Sequence, residues 1–170
     1  VLGNHDADSI SKNQFSGIVT NTGMPKDATY YSYNTGGVHF VVLDANFNPD
    51  GSAYDHGNFN WTKTVIPDDE LDWLTRDLES TSLPVIVFVH QLLDGGGDHY
   101  VNNAGRIRDI LQKHNTVLAV FQGHMHTGNY SLIENIHYYT LKAMVEGTGE
   151  GSNSYAIVEA IEVIGGTNVQ

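Results

Sequence analysis

Two apolar runs, each followed by a histidine, constrain the fold of this chain most strongly. Residues 84–89 are apolar at every position and end on His90, and residues 116–122 lead in the same way to His124. Continuous apolar runs of this length are typical of strands buried on both faces of a parallel sheet. Because the carboxyl ends of parallel strands meet at one edge of the sheet, we expect both histidines to lie at one site in an α/β fold.

The second run ends in Gly123-His124-Met125-His126. On an extended backbone alternate side chains point the same way, so His124 and His126 are expected to face one site while Met125 packs behind them. Gly123 has no Cβ, which lets the chain turn sharply and lets a ligand come close. The spacing suits a metal site, although His-x-His also occurs in structural turns.

A third polar loop opens the chain. Residues 1 and 2 resemble the end of an apolar strand, and Gly3-Asn4-His5-Asp6 follows. The amide, imidazole and carboxylate can supply an oxygen ligand, a proton donor and a group that orients the donor. The same residues also suit an Asx-type turn that caps the next helix. Three strand ends that each carry a histidine loop together predict one metal site.

Most other elements are predicted as scaffold. Tight-turn residues at 34–37 predict a β-hairpin, and leucines at helical spacing predict a helix after Pro67 whose acidic start is a solvated face. A second helix is expected over residues 104–114, and closing strands over 136–141 and 155–164. His39 is expected to be packed or solvent-facing rather than a ligand.

Two long loops, 45–66 and 91–103, are expected to set substrate specificity. Trp61 is a possible substrate contact, although a loop pinned by its own aromatic residues is the favoured interpretation. His99 is a possible extra ligand, although a glycine-rich loop in solvent is favoured. No substrate-binding residue is predicted from the sequence.

Charge and composition exclude several classes of function. A chain of 170 residues is one domain by size. Its formal charge of −12 argues against a nucleic-acid partner, because phosphate backbones require lysine and arginine. No apolar run approaches bilayer length, so no membrane partner is expected.

With 9 histidines and no cysteine, the available ligands are imidazole and oxygen, which suit zinc, manganese or iron. Such metal ions could hold a small phosphate substrate. The compartment stays undecided.

Together these residues resemble a known family. Gly3-Asn4-His5-Asp6, Val89-His90 and Gly123-His124-Met125-His126, in this order and spacing, resemble the last three blocks of the calcineurin-like metallophosphoesterases. Residues 31–44 and Leu71-Asp72-Trp73-Leu74 also look similar to the manganese-dependent ADP-ribose/CDP-alcohol pyrophosphatase branch. The resemblance implies an αββα sandwich of mixed sheets flanked by helices, with a pair of divalent metals at the strand ends.

The resemblance also implies roles for six residues. The metal ligands would be Asn4, His90 and His124 for one ion and His126 for the other. His5 would protonate the leaving alkoxide and Asp6 would orient His5. The reaction implied is two-metal hydrolysis of phosphomonoester, phosphodiester or nucleotide pyrophosphate bonds.

The sequence departs from the family pattern in one respect. The Asp-x-His and Gly-Asp-x-x-Asp motifs that open the family occur nowhere in these 170 residues. We therefore expect a single domain, residues 1–170, that corresponds to the C-terminal part of the sandwich and lacks its N-terminal strands and first metal motifs. Such a chain would bind one metal better than two, would have impaired activity, and would self-associate through an uncovered sheet region.

Two other functions remain open on the sequence alone. One is a non-catalytic metal-binding or interaction module on the same fold, which the absent motifs favour and the His5-Asp6 pair disfavours. The other is a nuclease of the same superfamily, which the scarcity of lysine and arginine disfavours.

Overall fold

The structure, a computed structural model, describes residues 1–19, 28–145, 147–149, 154–163 and 166–169. A short 3₁₀ helix, Asn4–Ala7, comes first, and a second one spans Trp61–Lys63. The α-helices are α1 (Lys12–Ile18), α2 (Asp68–Glu79) and α3 (Ala104–Gln112). The strands are β1 (Tyr31–Thr35), β2 (Val38–Val42), β3 (Val85–Phe88), β4 (Val117–Gln122), β5 (Asn129–Ile133), β6 (Ile136–Thr140), β7 (Ala160–Val163) and β8 (Gly166–Val169). Within the described ranges, no helix has the length and apolar character needed to cross a bilayer.

Six strands form one mixed sheet in the order β1-β2-β3-β4-β6-β5. The four inner strands β2, β3, β4 and β6 are parallel, and the two edge strands are antiparallel to their neighbours. Strands β7 and β8 form a separate antiparallel pair. The predicted mixed α/β fold is confirmed. Because β3 and β4 are adjacent and parallel, their carboxyl ends bring His90 and His124 to the same edge of the sheet.

Helices α2 and α3 cover one face of this sheet. A single apolar core joins α2 and α3 to the alternate residues of the inner strands; it includes Leu71, Leu74, Leu78, Val85, Val87, Ile107 and Leu111. The opposite face carries one aromatic ring per strand, in the order Tyr33, Phe40, Phe88, Phe121, Tyr139 and Tyr130. Neighbouring rings in this row lie 5.1 to 6.2 Å apart between centroids. The alternation along each strand thus divides the core into two layers.

The predicted hairpin and both predicted helices are confirmed. The β1–β2 turn places Gly36 and Gly37 at φ +58° and +78°, a left-handed conformation that L residues with a Cβ adopt at a cost. His39 is packed, as predicted, with its two ring nitrogens contacting Asn34 and Asp77. Its contacts tie the hairpin to α2.

Three expectations are corrected. Residues 1–3 are not a strand. The acidic start of α2 is not wholly solvated, because Glu70 is 1% exposed and its carboxylate accepts a hydrogen bond from the Asp44 amide. Of the strand predicted over 155–164, only Ala160–Val163 is a strand, and residue 164 lies outside the described residues.

Candidate metal and phosphate site

Three side chains from distant parts of the sequence converge at the edge of the sheet. His90 follows β3, His124 follows β4, and Asn4 begins the first 3₁₀ helix. His90 Nε2 lies 2.9 Å from Asn4 Oδ1, and His124 Nδ1 lies 3.1 Å from the same oxygen. The two ring nitrogens are 3.2 Å apart. We call these three residues the ligand cluster.

The ligand cluster fits a divalent metal ion. Metal–ligand bonds of about 2.1 Å at octahedral angles separate adjacent donor atoms by about 3 Å, which is the spacing seen here. Within the described part of the chain, no three histidine, cysteine or carboxylate side chains form such a group, and the third polar atom beside the two imidazole nitrogens is the amide oxygen of Asn4. Nε2 of His124 is buried without a hydrogen-bond partner, whereas its Nδ1 faces the other two donors.

Electrostatics keep both imidazoles of the ligand cluster neutral. Burial, aided by the neighbouring His5 and His126, lowers the pKa of His90 to about 4. Burial, aided by His90 and His99, lowers the pKa of His124 to about 4. A neutral imidazole has a lone pair, and a lone pair is what a metal ion requires. Both rings are therefore ready to bind metal at neutral pH.

The backbone at His124 is strained. His124 has φ +65°, and the Met125 amide donates to the Gly123 carbonyl over 2.7 Å, so the three residues form a γ-turn. A non-glycine residue in this conformation costs of order 1–3 kcal/mol and is found mostly at functional sites. The expected extended backbone is therefore wrong: His124 is presented by a turn. His126, two residues further on, is exposed.

Gly3 is where the chain passes closest to the ligand cluster. A Cβ at this position would lie 3.1 Å from Nδ1 of His90, which is closer than nine in ten Cβ contacts in proteins. Gly3 also donates its amide to Asp6 Oδ2 over 2.8 Å, which closes the first turn of the 3₁₀ helix. The absence of a side chain at Gly3 thus lets Asn4 and His90 meet.

His5 is oriented by a residue that the sequence did not single out. Its Nδ1 lies 2.8 Å from Asp8 Oδ2, whereas the Asp6 carboxylate is engaged by the Gly3 amide. The expected Asp6–His5 contact is thus replaced by Asp8–His5. The spacing i, i+3 within a 3₁₀ turn was the available signal for this pair, because such residues are eclipsed there.

A cavity of about 580 Å³ opens above the ligand cluster. Five of the 9 histidines border it, namely His5, His90, His99, His124 and His126. Asn4 and Trp61 also line it, and among the described residues no lysine or arginine does. An anion in this cavity would therefore be held by metal or imidazole, in a protein that is otherwise strongly acidic.

Two cavity residues, Trp61 and His99, were not favoured as site residues from the sequence. The Trp61 ring centroid lies 5.1 Å from that of His99 and 5.4 Å from that of His124. His99 is not in the solvent part of its loop, because its carbonyl accepts from the Leu92 amide and closes the base of that loop. Both residues come from loops whose path depends on long-range packing, so the sequence could name them as possible site residues but could not favour them.

A buried polar network supports the ligand cluster from behind. Asn46, fully buried, donates through Nδ2 to the Leu2 carbonyl over 2.8 Å. Gln91 donates to Asn46 Oδ1 over 2.8 Å, and Asp44 accepts from the Asn46 amide over 2.9 Å. Leu2 precedes the Asn4 loop and Gln91 directly follows His90. Asn46 thus links the two loops that carry two of the three donors.

Two solved structures share the fold of this chain. The chain is similar to a dimetal phosphatase from Danio rerio, with a TM-score of 0.74 and 19% identity over 87% of this chain and 61% of that one. It is also similar to the purple acid phosphatase PPD1 from yellow lupin (Lupinus luteus) seeds, with a TM-score of 0.51 and 12% identity over 74% of this chain and 25% of that one. The chain thus spans about three fifths of the length of the first and a quarter of the second. At these identities the likeness shows a shared fold.

No curated protein sequence gives a significant match to the chain. The family of calcineurin-like phosphoesterases, however, matches over residues 1–128, a segment that contains Asn4, His90, His124 and His126. The match covers well over half of the chain, and the fold agrees with it. The chain belongs to the calcineurin-like phosphoesterase family.

Proposed function

We propose that this protein hydrolyses phosphate esters with the help of divalent metal, the bond being a phosphomonoester, a phosphodiester or a nucleotide pyrophosphate. The observation that carries the proposal is the ligand cluster of Asn4, His90 and His124, which lies at the base of a histidine-lined cavity. The family match and the two phosphatase neighbours support the same reaction class.

The metal proposed is manganese, iron or zinc, because the donors are two imidazoles and an amide oxygen with no thiolate. One ion would be held by Asn4, His90 and His124. His126 borders the cavity and is the proposed ligand of a second ion, which needs further oxygen or nitrogen donors. A bound ion would polarise the phosphoryl group and lower the pKa of a water nucleophile.

His5 is the proposed proton donor to the leaving oxygen. Its side chain is 78% exposed and borders the cavity, so a substrate can reach it. The carboxylate of Asp8, 50% exposed, contacts Nδ1 and leaves Nε2 available for proton transfer. Proton donation to a departing alkoxide removes the need to expel an anion, and such general acids contribute about 10²- to 10⁴-fold to the rate.

The proposed substrate is a small phosphate compound rather than a nucleic acid. The chain carries 20 acidic and 8 basic residues, and among the described residues no basic side chain except histidine borders the cavity. The negative charge of the phosphate must therefore be neutralised by metal ions or by the imidazoles that border the cavity. A polymer with many phosphates would be repelled by the surrounding surface.

The test combines metal content with turnover. Purified protein, loaded with manganese, is assayed on bis-p-nitrophenyl phosphate and on ADP-ribose, together with the variants His90→Ala and His5→Ala. The expected result is loss of metal and turnover in H90A, and loss of turnover with metal retained in H5A. The control His114→Ala, which removes a histidine outside the cavity, should retain both.

The outcomes separate the two candidate functions. Metal bound through His90 without hydrolysis of either substrate would contradict hydrolysis by this chain, and would indicate either a site impaired by the absent Asp-x-His and Gly-Asp-x-x-Asp motifs or the non-catalytic metal-binding module. Hydrolysis that survives in H90A would contradict the proposed site altogether. Two tightly bound ions per chain would mean that the protein supplies the second ion with further donor atoms besides His126.

A further inference from the structure

Trp61 lines the cavity and is partly exposed. Its side chain is 40% exposed, although tryptophan is a residue type that is highly buried on average. The indole lies beside His99 and His124, at 5.1 and 5.4 Å between ring centroids, and lines the cavity with them. An exposed tryptophan beside a metal-binding cluster presents an aromatic surface to whatever enters.

The backbone on both sides of this surface is fixed. Asn60 caps the short 3₁₀ helix that begins at Trp61, because its Oδ1 accepts from the Thr62 amide. His99 is held at the base of its loop by the hydrogen bond between its carbonyl and the Leu92 amide. We define the aromatic wall as Trp61 and His99; because these hydrogen bonds hold the backbone of both residues, a ligand that binds to the wall needs to order little of the main chain.

We propose that this wall binds a planar aromatic group of the substrate, so that the preferred substrates are phosphate esters of aromatic or heteroaromatic compounds. The inference rests on the proposed function, since it requires the phosphate to lie at the ligand cluster. His124 joins the two regions: its Nδ1 belongs to the cluster and its ring contacts Trp61. A ring stacked on Trp61 therefore lies within a few bonds of a phosphate at the cluster.

Size and charge agree with this substrate class. The cavity of about 580 Å³ exceeds the needs of phosphate alone and lies in the ordinary range for ligand pockets. A neutral ring adds no charge to a cavity set in an acidic protein. Contact between aromatic rings is specific to planar groups, and it contributes about tenfold in affinity beyond the effect of buried area.

The test uses two ligands of matched size, phenylphosphonate and cyclohexylphosphonate, neither of which can be hydrolysed. The chain has 2 tryptophans, so Trp73→Phe leaves Trp61 as the only indole reporter. With zinc-loaded W73F protein, we expect phenylphosphonate to quench the fluorescence of Trp61 and to bind about tenfold more tightly than cyclohexylphosphonate. Methylphosphonate serves as the measure of phosphonate binding without a ring.

Two variants then identify the wall as the source of the preference. Trp61→Leu should abolish the difference between the phenyl and cyclohexyl ligands by calorimetry, while Trp61→Phe should retain most of it. Zinc affinity, which both variants should keep, shows that the site has folded. Equal affinities in the unmodified protein, or an unchanged preference in W61L, would overturn the inference.

The failure of this inference is distinguishable from that of the proposed function. If methylphosphonate binds only in the presence of zinc and the phenyl ring adds no affinity, the phosphate site is supported and the aromatic wall is refuted. If none of the three phosphonates binds to the zinc-loaded protein, both the wall and the phosphate site are refuted.

Discussion

The imidazole of His5 contacts the carboxylate of Asp8 through Nδ1 at 2.8 Å, across one turn of the first 3₁₀ helix. The adjacent Asp6 points back to the Gly3 amide instead. The two carboxylates therefore have separate tasks: one orients the proposed proton donor, and the other closes the turn that presents it. The difference between the roles of Asp6 and Asp8 can be measured, because asparagine can replace either aspartate with almost no change in side-chain shape.

Asp8→Asn should lower kcat more than Asp6→Asn. An asparagine at position 8 can turn its NH₂ group toward Nδ1 and then no longer holds the ring of His5 in one orientation; because the pair is at least half exposed, we expect a loss of about tenfold. Asparagine at position 6 still accepts the Gly3 amide, so D6N should stay within about twofold of the parent. Steady-state kinetics with a saturating phosphodiester measure both, and a larger loss in D6N would contradict the assignment.

Asn46→Ala should weaken metal binding although Asn46 touches no proposed ligand. Removal of its amide frees the Leu2 carbonyl and Gln91, so the loops that carry Asn4 and His90 lose their link. Outer residues of metal sites typically contribute about 10- to 100-fold to affinity, and we expect about tenfold here. Calorimetric titration with manganese or zinc measures the change.

The matched control for this prediction is Asn103→Ala. Asn103 also bridges two backbone groups, donating to the Ile66 carbonyl over 2.8 Å and accepting from the Ile66 amide over 3.1 Å, but it does not line the cavity. Both variants should lose about 1–3 kcal/mol of unfolding free energy. Only N46A should lose metal affinity, and an equal loss in N103A would mean that general destabilisation explains the effect.

The sequence predicted the elements that depend on local patterns. Continuous apolar runs predicted β3 and β4, and because those strands are parallel neighbours, the histidines that follow them had to meet. Leucine spacing predicted α2, and turn chemistry predicted the β1–β2 hairpin. Family membership was predicted from the order and spacing of the three motifs, and the match over residues 1–128 confirms it.

Other features could not be predicted from the sequence because they depend on contacts between distant segments. Trp61 and His99 meet through packing of two loops, and composition alone favoured a solvent position for His99. The burial of Glu70 depends on the Asp44 amide, 26 residues earlier, which no helical pattern encodes. The γ-turn at His124 arises where the chain leaves the sheet, so strand periodicity did not extend through it.

His90 and His124 should resist protonation until the pH falls to near 4 in the metal-free protein. Their unfolded pKa is about 6.5, so between pH 6.5 and 4 the unfolded chain binds protons that the folded chain does not. The stability that these two neutral histidines contribute is therefore fully present above pH 6.5, and it is lost as the pH falls from 6.5 to 4. Imidazole NMR signals, assigned with His90→Gln and His124→Gln, give the titration directly, and midpoints near 6.5 would contradict the burial argument.

Lys12→Met should destabilise the protein far more than Glu70→Gln. Lys12 contacts Asp44, which is fully buried, and its Nζ lies 3.3 Å from the centre of the Phe47 ring. Without the lysine, Asp44 keeps its burial but loses its cation, which typically costs about 3–5 kcal/mol. In E70Q the amide oxygen can still accept from the Asp44 amide, so we expect a change within about 1 kcal/mol at neutral pH. Chemical denaturation of both variants measures the contrast.

The pH dependence of the Glu70→Gln effect provides an independent check. Burial, reinforced by the charge of Asp44, raises the pKa of Glu70 well above its usual 4.5. A carboxyl group with a raised pKa in the folded state stabilises the fold at acidic pH, and this contribution disappears as the pH rises through that pKa. The stability of E70Q relative to the unmodified protein should therefore be more favourable at pH 8 than at pH 5. A difference that is constant across this range would show that Glu70 does not hold a proton in the folded protein.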